Sequence, residues 1–397
     1  MPDPLLPAGG RVAIAGAGCA GLSLAVELAE RRPDVSIDVF DRAPAPAADR
    51  TWCSWAVTPN RFDRIVSDRW TRVRVVGGTR DTTIDAAAYP YVCIQGRDFY
   101  DLVDATLAPN DRVTTHRGIA VQSTTESPRH AEVELAIPGG AAERRRYDLL
   151  FDARPAPPAP VEASGEPALI QHFGGVEIET PPGTVDPGTV TLMDFSVPQE
   201  QGAHFMYVLP YSRGTALVES TFLTPPGHAA IDYEAHALAY ARERLGIAAP
   251  NIIYRESGAL PMTLAALGPR ATRRTWPIGT RAGIGRASSG YAFDAIQRDT
   301  VNILAAIAAD RARPRPPRSP VLSLLDRVLI SWLSSDQTAP PRVFGDLFAK
   351  LPPRSLIRFL ADVPTPADLL RTMWAMPKLE TTLHAVTHPS AWPKLAS

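Results

Sequence analysis

The first chemistry in the chain is a set of glycines. Gly16, Gly18 and Gly21, in GAGCAG, keep G-x-G-x-x-G spacing between an apolar run and a helical one. Glycines at those places permit a tight turn and bring a pyrophosphate against the N–H groups of a helix N-terminus. Asp41 follows about 20 residues after the last glycine, where a ribose-binding acid belongs. The competing reading is a packing turn with Asp41 as its cap, but the strand–turn–helix context favours a dinucleotide site. The motif begins early and a long non-Rossmann middle follows, a layout that favours FAD over NAD. Two acids stand inside apolar strands, Glu219 in ALVEST and Asp194 in LMDF. A carboxyl in a dry pocket keeps its proton at neutral pH and can act as an acid. An edge-strand glutamate facing water, and an aspartate that only orients or braces a turn, are the alternatives. Arg97, in IQGRDFYDLV, is a candidate for the pyrophosphate or flavin side, or else an exposed arginine at a helix start. His384 and His388 are spaced to share a helix face, but zinc needs a third ligand and none is suggested nearby, so no metal site is expected. No G-x-S-x-G, P-loop or C-x-x-C string occurs. Cys53 reads as a small packed residue rather than a nucleophile.

The elements that must position these groups follow from periodicity. Residues 11–16 read as a buried strand, 19–31 as a helix with a stripe at Leu22, Val26 and Ala29, and 35–40 as a second strand. That βαβ start implies a parallel sheet in an α/β fold. Further strands are expected at 72–76, 112–115, 131–136 and 148–152. A Pro/Ala-rich stretch, Pro155 to Pro160, breaks the pattern. Strands at 188–195, 204–210 and 215–222 then make 162–225 a mostly antiparallel sheet, with Leu217, Glu219 and Thr221 on one face of the last strand. Helices are expected at 231–245 and 293–309. The segment Arg311–Pro320 is a linker, and several short helices broken by proline pairs follow it.

Composition bounds the function. Of 397 residues, 45% are hydrophobic and 21% charged, which gives a large core rather than a disordered chain. A formal charge of -1 gives no electrostatic case for nucleic acid. Mean hydropathy is -0.08, and no run approaches the roughly 20 apolar residues of a membrane span. The first residues lack the basic-then-apolar pattern of a secretory signal. With Cys19, Cys53 and Cys93 as the only cysteines, the expected compartment is a reducing cytoplasm. Residues 311–397 hold twelve Lys/Arg against six Asp/Glu, with Trp332, Phe344, Phe348, Phe359 and Trp374 among them. Such short basic, aromatic helices suit peripheral docking on the inner face of an anionic membrane, or a helical cap with its aromatics in the core.

Several strings are far more specific than the glycines: DRTWCSW (49–55), FDAR (151–154), QHFGGVEIET (171–180), TLMDFSVPQ (191–199), FMYVLPYS (205–212), ALVEST (216–221), ESGALPMT (256–263) and GTRAGIGRASSGYAFDAIQR (279–298). In this order they resemble the lycopene β-cyclase family of flavoproteins. The resemblance implies an FAD-monooxygenase-like α/β composite. It divides into a discontinuous FAD-binding domain (1–50, 90–160 and 255–310), an inserted antiparallel substrate-binding sheet (51–89 and 161–254) and a C-terminal helical region (311–397). It implies reduced FAD, with NAD(P)H as the source of electrons, and a hydrophobic polyene substrate. The reaction it implies is redox-neutral: protonation of the ψ end of a linear carotene, ring closure through a tertiary carbocation, and loss of a proton to give a β-ionone ring. Glu219 takes the place of the family's catalytic glutamate, with Asp194 as a second acid. The loop carrying Gly283, Gly285, Ser289 and Gly290 takes the place of the second flavin-contacting segment. Trp52, Trp55, Phe205 and Tyr207 are candidates for aromatic walls that face a cation. Gly174 and Val176 depart from the bulkier residues usual in their string and are expected to reshape the pocket. A cyclase of another terpenoid or meroterpenoid, an FAD monooxygenase or epoxidase, and a non-catalytic carotenoid carrier are the other readings.

Overall fold

The computed structural model describes residues 4–46, 50–155, 164–211, 213–227, 230–313 and 318–376. Its first layer is a five-stranded parallel sheet in the order Thr275–Pro277, Leu149–Asp152, Arg11–Ala15, Ser36–Asp41 and Val113–Arg117. The central strand reads as a continuous apolar run because both of its faces are covered. Val12 and Ile14 meet the helices Cys19–Arg31, Gly96–Leu107 and Phe293–Ala308. Ala13 and Ala15 meet an antiparallel meander of Ala120–Glu126, Ala131–Ala136 and Glu143–Tyr147. The expected α/β start is therefore present, and the meander's alternating Ala131, Val133 and Leu135 supply the cover on its second face.

The second layer is a seven-stranded sheet in the order Ile252–Thr263, Ala168–Glu179, Thr215–Thr224, Ala203–Tyr211, Thr189–Asp194, Arg72–Gly77 and Arg80–Asp85. Its ladders are antiparallel except that Thr189–Asp194 runs parallel to Arg72–Gly77. Sheet membership on the C-terminal side runs to Thr263, past the expected edge at 254. Thr51–Trp55, Tyr91–Gln95 and Asp68–Trp70 form a small antiparallel sheet whose strands flank the hairpin Arg72–Gly77 and Arg80–Asp85 in the sequence. One face of the seven-stranded sheet packs against the helix Tyr233–Glu243 through Val176, Ile178, Met206, Val208, Ala216 and Val218. Gly174 and Val176 sit on this helix face: a Cβ at Gly174 would come within 2.7 Å of the Tyr233 Cβ. Their small size accommodates the helix rather than reshaping the pocket.

Among the described residues, four helices follow the linker: Pro320–Ser335, Pro340–Lys350, Pro353–Leu360 and Pro366–Ala375. Each begins with proline in its first turn, where the missing N–H costs nothing and φ is already set. They close over the sheet through contacts too tight for side chains. A Cβ at Gly77 would lie 2.2 Å from the Pro341 carbonyl oxygen, and one at Gly345 would lie 2.3 Å from the Gly77 carbonyl oxygen. The buried Arg286 guanidinium pairs with the buried Asp326 carboxylate at 3.0 Å, tying the Gly283–Gly290 loop to the first of these helices. Trp332, Phe344, Phe348 and Phe359 are all buried, so they serve the core rather than a membrane. Trp374 alone of that group stands out, 76% exposed. Gly77→Ala should destabilise the fold by roughly 1–3 kcal/mol through overpacking. The check is the urea midpoint at unchanged m-value; an unaltered midpoint would show that the helix yields without cost.

Candidate active site

A single cavity of about 440 Å³ joins the two layers. It reaches from Gly18, Cys19 and Ala20 at the first turn, past Trp52 and Tyr91, to Glu219 and an apolar end that includes Leu192, Met262 and Phe344. At the glycine end the backbone makes the site. Gly16 adopts φ +109°, donates to the Phe40 carbonyl at 2.7 Å and leaves no room for a Cβ beside Ala153. A Cβ on Gly21 would be 2.0 Å from the Gly16 carbonyl oxygen, so only glycine lets the helix start here. At Gly18, by contrast, a Cβ would meet nothing within 4 Å. That combination, a locked turn with open space before a helix N-terminus, fits a pyrophosphate. Thr280, Ser289 and Gly290 line the same cavity. The buried Ser289 Oγ has no hydrogen-bond partner among the described residues, which fits a polar ligand group beside it. The Cys19 thiol, pushed up to about 12 by burial, is no nucleophile.

At the other end, strand register decides the chemistry. Gly175 pairs with Glu219 on one side and Glu256 on the other, and Tyr207 pairs with Glu219 from the next strand. Four strands thus set Glu256, Gly175, Glu219 and Tyr207 in one row across the sheet. Gly175 carries no side chain to separate the acids; a Cβ there would press on the Glu219 Cβ at 3.2 Å. Both carboxyls are buried and hydrogen-bond to each other. The Thr221 hydroxyl donates to Glu219 Oε1 at 2.6 Å, and the Thr51 hydroxyl donates to Glu256 Oε2 at 2.7 Å. Burial, and then the neighbouring Glu256, push the Glu219 carboxyl well above the usual carboxylate range. Its surroundings therefore favour the protonated form of Glu219, which lies in the wall of the cavity. Beside it, the Tyr91 and Tyr207 hydroxyls lie 3.0 Å apart and the Tyr291 hydroxyl donates to Tyr91 at 3.2 Å. Burial raises all three phenols, so they stay neutral with their electron-rich rings intact. Burial and the neighbouring Cys93 also push the Cys53 thiol well up, leaving it a packed wall residue.

The structure separates the expected site residues. Gly18, Ser289, Gly290 and Glu219 line the cavity, together with Trp52, Phe205 and Tyr207. Asp41 braces the glycine turn: its carboxylate accepts from Ala17 N at 2.7 Å and from Ala43 N at 2.8 Å. Gly283 is a left-handed cap with φ +71°, and Gly285 shapes the same loop; neither is in the cavity wall. Arg97 is exposed at the start of its helix, with Nε 3.5 Å from Asp98, and does not reach the cavity. Trp55 is fully buried against Tyr91 rather than in the wall. Asp194 is the clear correction. A bulge between Thr191 and Asp194 shifts the register, so Asp194 pairs with Met206 on the helix face of the sheet. There it accepts from Tyr240 Oη at 2.7 Å and from Ser196 N at 2.9 Å, away from Glu219. His384 and His388 lie outside the described residues; among those residues no group of three or more His, Cys, Asp or Glu could hold a metal ion. Glu256 and Thr51 escaped the sequence reading. Alternation along Glu256, Leu260 and Met262 signals one face, but only the pairing through Gly175 shows that this face is the one bearing Glu219.

The sequence model for the lycopene cyclase protein family matches residues 11–385, nearly the whole chain. The chain belongs to that family. A lycopene beta-cyclase from a Paracoccus species is 29% identical over 93% of this cyclase and 94% of its own length. Another from Pantoea ananas is 24% identical over 92% of this chain and 94% of its own. Among solved structures, a flavoprotein/dehydrogenase from Cytophaga hutchinsonii superposes with a TM-score of 0.65 at 12% identity, covering 95% of the cyclase and 98% of that chain. The fold is thus that of the FAD-dependent monooxygenase and reductase-like flavoproteins. In this cyclase, Asp194→Asn weakens a buried charge-assisted hydrogen bond. It should cost about 1–3 kcal/mol of stability and leave turnover per folded molecule unchanged. Thermal melts beside turnover numbers decide this, and a fall in turnover at constant stability would return Asp194 to the chemistry.

Proposed function

We propose that this cyclase closes the ψ end group of lycopene, or of a related linear carotene, to a β-ionone ring, with Glu219 as the acid. One observation carries the reading: a carboxyl whose protonated form is favoured by burial stands in the wall of a cavity, beside Leu192, Phe205, Tyr207 and Met262. An isolated double bond is a poor base, so a donor must meet it where water is excluded. Glu219 protonates the terminal double bond, and a tertiary carbocation forms. The ring closes onto that carbon, and a ring proton leaves to restore a double bond. The product has the mass of the substrate. Tyr207, with Tyr91 and Tyr291 behind it, turns neutral electron-rich rings towards the developing charge. Phe205, Leu192 and Met262 exclude water from it.

FAD fits the other end of the cavity. The Gly16–Gly21 turn would hold its pyrophosphate, and Ser289 with Gly290 would approach it from the second loop. Bound in reduced form, FAD would supply an electron-rich ring that favours positive charge without net electron transfer. NAD(P)H is the proposed source of its electrons. A hydrophobic polyene must enter from lipid, and one surface suits that. Leu370, Met373 and Trp374 form an exposed stripe on the helix Pro366–Ala375, with Arg371 beside them. No helix among the described residues is long and apolar enough to cross a membrane, so contact through this stripe would be peripheral.

Expression in a bacterial host that accumulates lycopene tests the reading. β-Ring products of unchanged mass are expected, whereas products that have gained oxygen would mark a monooxygenase. Glu219→Gln should retain flavin and abolish ring formation. It should also be at least as stable as the parent at pH 7. A carboxyl with a raised folded-state pKa favours folding fully only below the ordinary carboxylate range. That contribution is lost as pH rises towards the folded value, and the amide carries no such pH dependence. Near-normal turnover in this variant would remove Glu219 from the acid role. Gly21→Ala, which cannot form the glycine turn, should purify without flavin.

A further inference from the structure

Glu219 does not act alone in the row that register builds. Its carboxyl meets that of Glu256 across Gly175, each carboxyl accepts from its own threonine, and Glu256 lies behind the wall that Glu219 and Thr51 form. Two like charges in contact in a dry site cannot both persist, so at neutral pH the pair holds one proton. We propose that Glu256 is a positioning residue for Glu219: as the anionic partner it keeps the pair's single proton on the cavity side and balances the cation once that proton has gone. This rests on the reading of Glu219 as the acid and extends it to a second carboxyl.

The proton balance closes within the pair. The Glu219 O–H bond breaks as a C–H bond forms at the less substituted, inner carbon of the substrate's terminal double bond. The alkene's electron pair makes that bond and leaves a tertiary cation. At that moment Glu219 and Glu256 are both anionic, and their repulsion is offset by the cation they face. The next double bond attacks to close the ring, a ring C–H bond breaks, and the released proton returns to the carboxylate pair. No electron leaves the substrate, and the pair ends each cycle as it began. Geometry assigns the roles. Each carboxyl accepts from one threonine hydroxyl, so the cavity distinguishes them: Glu219, not Glu256, reaches it.

Other groups face the pair. Tyr207 lies opposite Glu219, and Cys53, Cys93 and Tyr91 come from the small sheet. Tyr291 comes from the second loop, Tyr211 lies further along the strand of Tyr207, and Arg50 Nη1 lies 3.4 Å from the Ser257 carbonyl. Burial holds the phenols and the Cys53 thiol neutral, and Arg50 is unchanged by the substitutions below.

The test uses flavin-loaded, full-length enzyme with two readouts. Activity on lycopene in vesicles should fall as pH rises through the pair's titration, because Glu219 must carry the proton. Glu256→Gln removes the neighbouring negative charge, so that alkaline fall should move to lower pH by roughly one to three units. Maximal turnover should drop at least about tenfold. Glu256→Asp keeps the charge and should keep the parental limb with a lower rate. Should Glu256→Gln fail to fold, Thr51→Val reads the same coupling with the opposite sign. Losing a donor to the anion should move the limb to higher pH. Infrared titration of the buried carboxyl band, without substrate, should show the same shifts. It should also show a band that disappears in Glu219→Gln. An alkaline limb and infrared titration identical in parent, Glu256→Gln and Thr51→Val would overturn the pairing. Inactivity of the parent on every linear carotene, with the infrared shifts present, would instead overturn the substrate reading and leave the pair intact.

Discussion

A carboxyl group buried in the middle of a sheet is expensive unless it is neutral or partnered; at Glu219 burial favours the neutral form, and Thr221 and Glu256 partner it. Much of the surrounding architecture can be understood as the means of keeping it so. The seven-stranded sheet places it on an inner strand, third from one edge, the small sheet brings Thr51 and Cys53 over it, and the C-terminal helices seal the far end with Phe344 and Phe348. Removing water raises the proton affinity of the acid and lowers the dielectric in which a cation must form. Both effects follow from one act of burial. The same burial destabilises the ionised protein, a cost of the kind that active sites carry and cores do not.

The flavin end and the acid end are built on different logic. Glycines fix the first through backbone geometry: Gly16 and Gly21 leave no room for side chains, so the site there is made of N–H groups and space. Side-chain register across four strands fixes the second, with Gly175 as the gap through which two acids touch. The second flavin loop joins these ends. Its Arg286 is anchored by Asp326, Ser288 donates to the same carboxylate at 2.7 Å, and Ser289 and Gly290 face the cavity between them. The helical cap is therefore coupled to the loop through a buried ion pair. Loosening the cap would disturb flavin and acid together.

What the sequence revealed was local, and what it concealed was not. GAGCAG declares itself because turn, helix and strand are contiguous, whereas alternation in ALVEST gives Glu219 a face of its strand and only the resemblance of the string to the family's gives it a role. Alternation also misled. From Leu192 it would place Asp194 on the cavity face, but the bulge between Thr191 and Asp194 inserts one residue and turns the side chain to Tyr240. Glu256 lies close to Glu219 in space only because Ala168–Glu179 runs between their strands, a pairing that no local pattern states. The aromatics of the tail divide between core and surface by tertiary contacts alone. Trp332 and Trp374 both sit on helices of the tail and end up on opposite sides of the protein's boundary.

The most direct test of the account is the origin of the proton that starts the reaction. Cyclisation in heavy water, with the flavin-loaded enzyme and unlabelled lycopene, should give β-ring product carrying one deuteron per ring formed. The deuteron should sit on the carbon that Glu219 protonates, because a carboxyl acid exchanges with solvent between turnovers. Product without deuterium, or product that has gained oxygen, would contradict a protonation-driven, redox-neutral closure.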